Sequence, residues 1–269
     1  MGKLIKYEFA LRGKRMMIFL VAAFLLNMSL YLYMRFGTNM IESMRVGFSL
    51  TLLIILFITF FALLFIDVLT AFNRELTSKE GYMIFLTPRS GWQIVGGKLL
   101  SGLLEGISFL FFFLLLSYVD FFVFYKNTVS DLVLRSLEEF LGFTPSQQTS
   151  VVVTFILLTL LIIVSVINTV VTAYAAMTLR RGFFAHVRFG AFLAGVVFVL
   201  ISVIVSRLNL LVMDIFPGPS LMELLDSTDR LDFFEMLDNV LIIYTLIFTV
   251  FTALIFAGVG YILEKKVDL

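Results

Sequence analysis

Two acidic residues lie inside long apolar runs, and they are the first place where chemistry could reside. Asp67 sits near the end of the run 46–72, and Glu105 near the start of the run 99–125. A charge at the bilayer centre costs about 2.5–3.5 kcal/mol, and less near a span's end, where water and head groups reach it. Two such carboxylates could line a polar gate or carry a proton. They could also pair with basic neighbours such as Arg74 or Lys98 as a structural latch, or simply sit at the interface. Other chemistry is hard to build. The single histidine, His186, excludes a His-based metal cluster and reads as a solvated side chain in a basic loop, and there is no cysteine for disulfides or thiolate sites. The nearest approach to a phosphate-binding loop is Gly91-x4-Gly96-Gly97-Lys98-Leu99. Its lysine comes one place late, and Leu99 stands where a magnesium-binding hydroxyl belongs. No catalytic residue, metal site or cofactor is expected in this chain.

The elements that must hold these residues are membrane spans. Of 269 residues, 61% are hydrophobic and 14% charged, whereas soluble domains run near 45–50% apolar. The solvent for such side chains is lipid. Net charge is +1, which gives no global field for nucleic acid. Apolar runs predict six spans at about 16–34, 46–72, 99–125, 151–178, 189–213 and 238–263. Each is about long enough, at 1.5 Å per residue, to cross roughly 30 Å of hydrocarbon. The fold class is therefore all-α and polytopic, with the whole chain forming one membrane domain. The first run resembles a signal peptide but lacks a small-x-small cleavage site, so it reads as a retained span.

Charge sets the orientation. With both termini inside, 14 of the 20 basic residues fall on inner segments, so the positive-inside rule places the termini in the cytoplasm of a cell's inner membrane. In residues 1–15, Leu4, Tyr7 and Leu11 form one apolar stripe amid Lys3, Lys6, Arg12, Lys14 and Arg15, which predicts an interfacial helix. On the outer side, residues 126–150 predict a short amphipathic helix ended by Gly142 and Pro145. Residues 214–237 predict two more short helices, broken near Ser227. Gly190, Ala191, Ala194 and Gly195 form two overlapping small-xxx-small pairs in the fifth span, compatible with a dimer seam or with intrachain packing. The 32 Phe and 12 Met read as lipid-facing and core residues, or as a soft path for apolar cargo.

The longest inner connection is 73–98. Arg74, Glu75, Lys79 and Glu80 alternate in sign, as on a solvated helix. Gly81 allows a bend, and Tyr82, Met83, Ile84, Phe85 and Leu86 form an apolar run stopped by Thr87-Pro88. Aromatic and Met side chains ringed by charge suit a partner's groove.

The segment SKEGYMIFLTPRSGWQIVGGKLL, residues 78–100, resembles the first cytoplasmic loop of ABC type-2 permeases, the membrane subunits of type V ABC exporters. Six spans, a basic interfacial N-terminal helix and a helical excursion before the last span match that layout. The resemblance implies that 73–89 is a coupling helix seated on an ATPase subunit. It implies two separate ATPase subunits carrying ATP and Mg, and a second permease copy meeting this one through the first and fifth spans. It further suggests amphipathic peptides as cargo. Two other functions fit the same sequence: a proton-driven carrier using Asp67 and Glu105, and a non-transporting scaffold or immunity protein.

Overall fold

The computed structural model describes residues 13, 15–29, 32, 42–77, 90–120, 142, 144–183, 190–215 and 230–265. Every regular element among them is helical: α1 (Arg15–Ser29), α2 (Glu42–Thr77), α3 (Gly91–Asp120), α4 (Pro145–Phe183), α5 (Gly190–Ile215) and α6 (Arg230–Lys265). Helices α2 to α6 are long and apolar enough to cross a membrane. Their side chains point outward to a degree no aqueous surface tolerates: Phe111, Phe155 and Phe192 are 68%, 72% and 75% exposed. This is a multi-pass membrane protein. Helix α1, at about 22 Å, is shorter than a span over its described length. Of the run 16–34 read as the first span, residues 30, 31, 33 and 34 lie outside the described residues.

Several boundaries differ from those the sequence suggests. Helix α2 runs on to Thr77 and α3 begins at Gly91, so the connection read as 73–98 narrows to 78–90. Pro145 does not close an outer helix; it opens α4. At the first helical position proline's missing N–H costs nothing, and Thr144 precedes it as the cap, with its carbonyl accepting from Gln148 N at 3.0 Å. Leu231, Phe234 and Leu237, expected on a short outer helix, belong to the first turns of α6. The interfacial helix expected in 1–15 falls outside the description apart from Gly13 and Arg15. Most of the outer helix expected in 126–150 and the break near Ser227 also fall outside it.

The chain divides into two compact units, Met1–Ala71 with Gly96–Leu137 and Phe72–Val95 with Glu138–Leu269. In the first, α1, α2 and α3 close around Met16, Ala23, Phe60, Phe109 and Phe113. Ala23 is fully buried, and its small side chain admits the rings. Phe57 meets Phe113 edge-on at 5.2 Å, and Phe60 lies 6.2 Å from Phe109. Farther along α2 and α3, Val68 fills the space in front of Gly102, where a Cβ would stand 3.3 Å from Val68 Cγ2.

The second unit is built on the pair α4 and α6. Thr154 donates to Asp238 at 2.5 Å, and Asn168 donates to Thr252 at 2.9 Å, both partners being 84 residues apart. A constant separation means that the helices run parallel. The two bonds lie two heptads apart on each, so the seam keeps a coiled-coil period. Buried residues on this period are Thr154, Asn168, Val171, Ala175 and Thr178 on α4, and Leu241, Thr245 and Val259 on α6. Polar residues in lipid need partners. Thr178, Thr245 and Thr252 donate to the carbonyl four residues back, the single Thr154 proton is shared between Asp238 and Ser150 O, and Asn168 fixes the register as a single seam amide can. Helix α5 packs mainly against α4.

Candidate functional site

The first unit gathers charge at one end of its helices. Asp67, on the inward face of α2, is 7% exposed. Its Oδ1 accepts from Arg15 at the start of α1, in an ion pair. The sequence suggested Arg74 or Lys98 as latch partners; the structure supplies Arg15, from a different helix. Arg15 is 39% exposed in its side chain and Asp67 only 8%, so the arginine reaches the molecular surface and the carboxylate does not. Asp67 Oδ2 is buried with no hydrogen-bond partner among the described residues. On α3, Lys98 and Glu105 are two turns apart on the buried face, at 1% and 3% exposure, and both are engaged. Ser101 lies between them and donates to Lys98 O at 2.9 Å. The group of Asp67 and Glu105 proposed from sequence is thus buried at both members, with basic residues on the same elements. Among the described residues no three His, Cys, Asp or Glu side chains converge as metal donors.

In the second unit the two flanks of the connection 78–90 are tied down. At the end of α2, Phe72 stacks on Tyr174 of α4 with ring centroids 4.0 Å apart, and the two residues are 1% and 0% exposed. Leu76, one turn on, is 2% exposed. At the start of α3, Gly91 N–H donates to Glu264 Oε1 on α6 at 3.0 Å, so a carboxylate from another helix caps an N-terminus whose orphan donors and dipole favour it. The backbones touch here. A Cβ on Gly91 would sit 2.7 Å from Gly260 O, and one on Gly260 would sit 2.6 Å from the Trp92 indole. Trp92 also packs on Phe256 at 5.9 Å. Gly260→Ala is therefore expected to cost about 1–3 kcal/mol. Gly258→Ala, where an added Cβ meets nothing within 4 Å, should be neutral or slightly stabilising. Reversible unfolding in detergent titrated with SDS compares the two; equal stabilities would refute the close approach.

No family model matches this chain, and neither the curated proteins nor the solved structures contain a match to it.

Of the loop residues singled out from sequence, Arg74 is exposed on the last turn of α2 and Glu75 lies in the same helix. Lys79, Glu80, Gly81, Tyr82, Met83, Phe85, Leu86, Thr87 and Pro88 lie outside the described residues, as does His186. On α5 the small-residue pairs are only partly used inside the chain. Ala194 is half-buried, while a Cβ at Gly195 would meet nothing within 4 Å. The side chain of Ala191 and the surroundings of Gly190 are not among those described. The residues missed from sequence are those that tie helices together: Arg15, Tyr174, Gly260 and Glu264. Only Gly260 carried a visible signal, as one of two glycines two residues apart in an apolar run.

Proposed function

We propose that this chain is the membrane subunit of an ATP-driven exporter of the ABC type-2 permease kind. It has six spans, α1 being the core of the first, and an interfacial helix over residues 1–15. Its termini and the α2–α3 loop lie in the cytoplasm of the inner membrane. The loop 73–89 serves as a coupling helix, through Arg74, Glu75, Lys79, Glu80, Gly81, Tyr82, Met83, Phe85, Leu86, Thr87 and Pro88. Two separate subunits bind ATP and Mg, and a second permease copy meets this one across Gly190, Ala191, Ala194 and Gly195. The cargo is an amphipathic peptide or similarly apolar molecule. The observation that carries this proposal is that the flanks of an apolar loop sequence with charged neighbours are fixed, by buried ring packing at Phe72–Tyr174 and by the Gly91–Glu264 hydrogen bond. A surface element that must transmit force needs anchored ends.

Purification in mild detergent tests it. A soluble ATPase should accompany the wild-type chain, and Glu80→Ala or Tyr82→Ala should weaken that binding about tenfold or more, as loss of a central interface residue does. Binding and hydrolysis unchanged in both variants would overturn the proposal. A proton-driven carrier is the second reading, favoured by Asp67 Oδ2, which has no hydrogen-bond partner among the described residues; cargo movement continuing in ATP-depleted vesicles would decide for it.

A further inference from the structure

We infer that the α2–α3 loop is wired to the α4–α6 pair at both ends, and that Glu264 is the positioning residue that fixes its exit into α3. This rests on the coupling role proposed above.

The entry side is apolar. Phe72 and Tyr174 bury their faces against each other, with Leu76 buried one turn nearer the loop. The exit side is polar and steric. Glu264 Oε1 holds the first amide of α3 at 3.0 Å, while Gly260 leaves room for Trp92 that any side chain would close. The loop's entry thus rests on α4 and its exit on α6. These two helices are in turn held in one register by Thr154–Asp238 and Asn168–Thr252. Residues 72–95 accordingly cluster with 138–269 and not with the remainder of α2 and α3. A load applied to the loop enters a pair of parallel helices that cannot slide past each other without breaking two interhelical hydrogen bonds. Glu264 is exposed, so its removal leaves the core intact. Its carboxylate acts on a backbone N–H, so the anchor is chemically separable from packing.

Hydrogen exchange by mass spectrometry on the full chain, alone and with its ATPase, provides the test. In Glu264→Ala the amides of residues 91–94 should exchange about tenfold faster, the effect of losing a helix cap, while those of α5 keep their wild-type rates. Glu264→Gln retains an acceptor oxygen and should restore most of the protection. In the assembled complex Glu264→Ala should bind the ATPase as wild type does, yet hydrolyse ATP with cargo transport reduced at least about fivefold per ATP. Unchanged exchange at 91–94, or an unchanged ratio of transport to hydrolysis, overturns the inference. If no ATPase binds even the wild-type chain, the coupling role fails instead; the exchange comparison then judges the anchor alone, and unchanged rates reject it.

Discussion

Replacing Arg15 by alanine should destabilise the protein by about 2–3 kcal/mol, well beyond the cost of removing its partner. The asymmetry follows from burial. The Asp67 side chain is 8% exposed and Arg15 is 39% exposed. Without Arg15, the buried carboxylate loses the ion-pair partner of its Oδ1, and its Oδ2 has no hydrogen-bond partner among the described residues; stranding one half of a buried pair costs several kcal/mol. Without Asp67, the long arginine stem can carry its guanidinium to the boundary. Asp67→Leu should therefore cost about 1 kcal/mol or less, because the arginine it leaves behind is the more exposed member and can be solvated. The double change Arg15→Met with Asp67→Leu should return to within about 1 kcal/mol of wild type, since apolar replacement of a whole buried pair is often neutral. Unfolding by SDS titration in mixed micelles reads all three. Equal losses from the two single changes would show that Asp67 is not confined as described.

The largest single loss should come from Tyr174→Ala, at about 3–5 kcal/mol, the cost of deleting a large buried ring. Tyr174 is fully buried on α4, and its ring stacks on Phe72 with centroids 4.0 Å apart. Truncation removes that contact and leaves a void beside Phe72 that fixed helix backbones cannot collapse. Tyr174→Phe keeps the stack and should retain most of the stability. The same unfolding assay applies, and a loss below about 1 kcal/mol for Tyr174→Ala would mean that the end of α2 is not held there.

Much of this fold is visible in the sequence, because lipid imposes a simple rule. Runs of about 20 apolar residues must become helices, and α2 to α6 lie where those runs lie. Their ends were harder to place. Gly142 and Pro145 punctuate a helix end and a helix start with the same residue types, and α4 uses Pro145 as a start. The stretch 214–237 reads as an outer segment, yet α6 begins at Arg230 within it, and Asp238, the first residue of the predicted sixth span, is answered by Thr154 on α4. A partner 84 residues away has no local signature. The partner of Asp67 was hidden in the same manner. Arg74 is two turns from Asp67 on one helix, whereas Arg15 is 52 residues away and meets Asp67 only through tertiary packing. The loop's charge and aromatic content were legible, but the residues that hold its flanks, Tyr174, Gly260 and Glu264, were not.

The fixed offset between α4 and α6 has a consequence for how the protein is made. Asp238 and Thr252 leave the ribosome 84 residues after Thr154 and Asn168, which at roughly 5–20 residues per second is an interval of about 4–17 s. Through that interval Thr252 is not yet available to the amide of Asn168. Until α6 follows it out, the seam of α4 has to satisfy its polar groups with water, with the insertion machinery or with another helix.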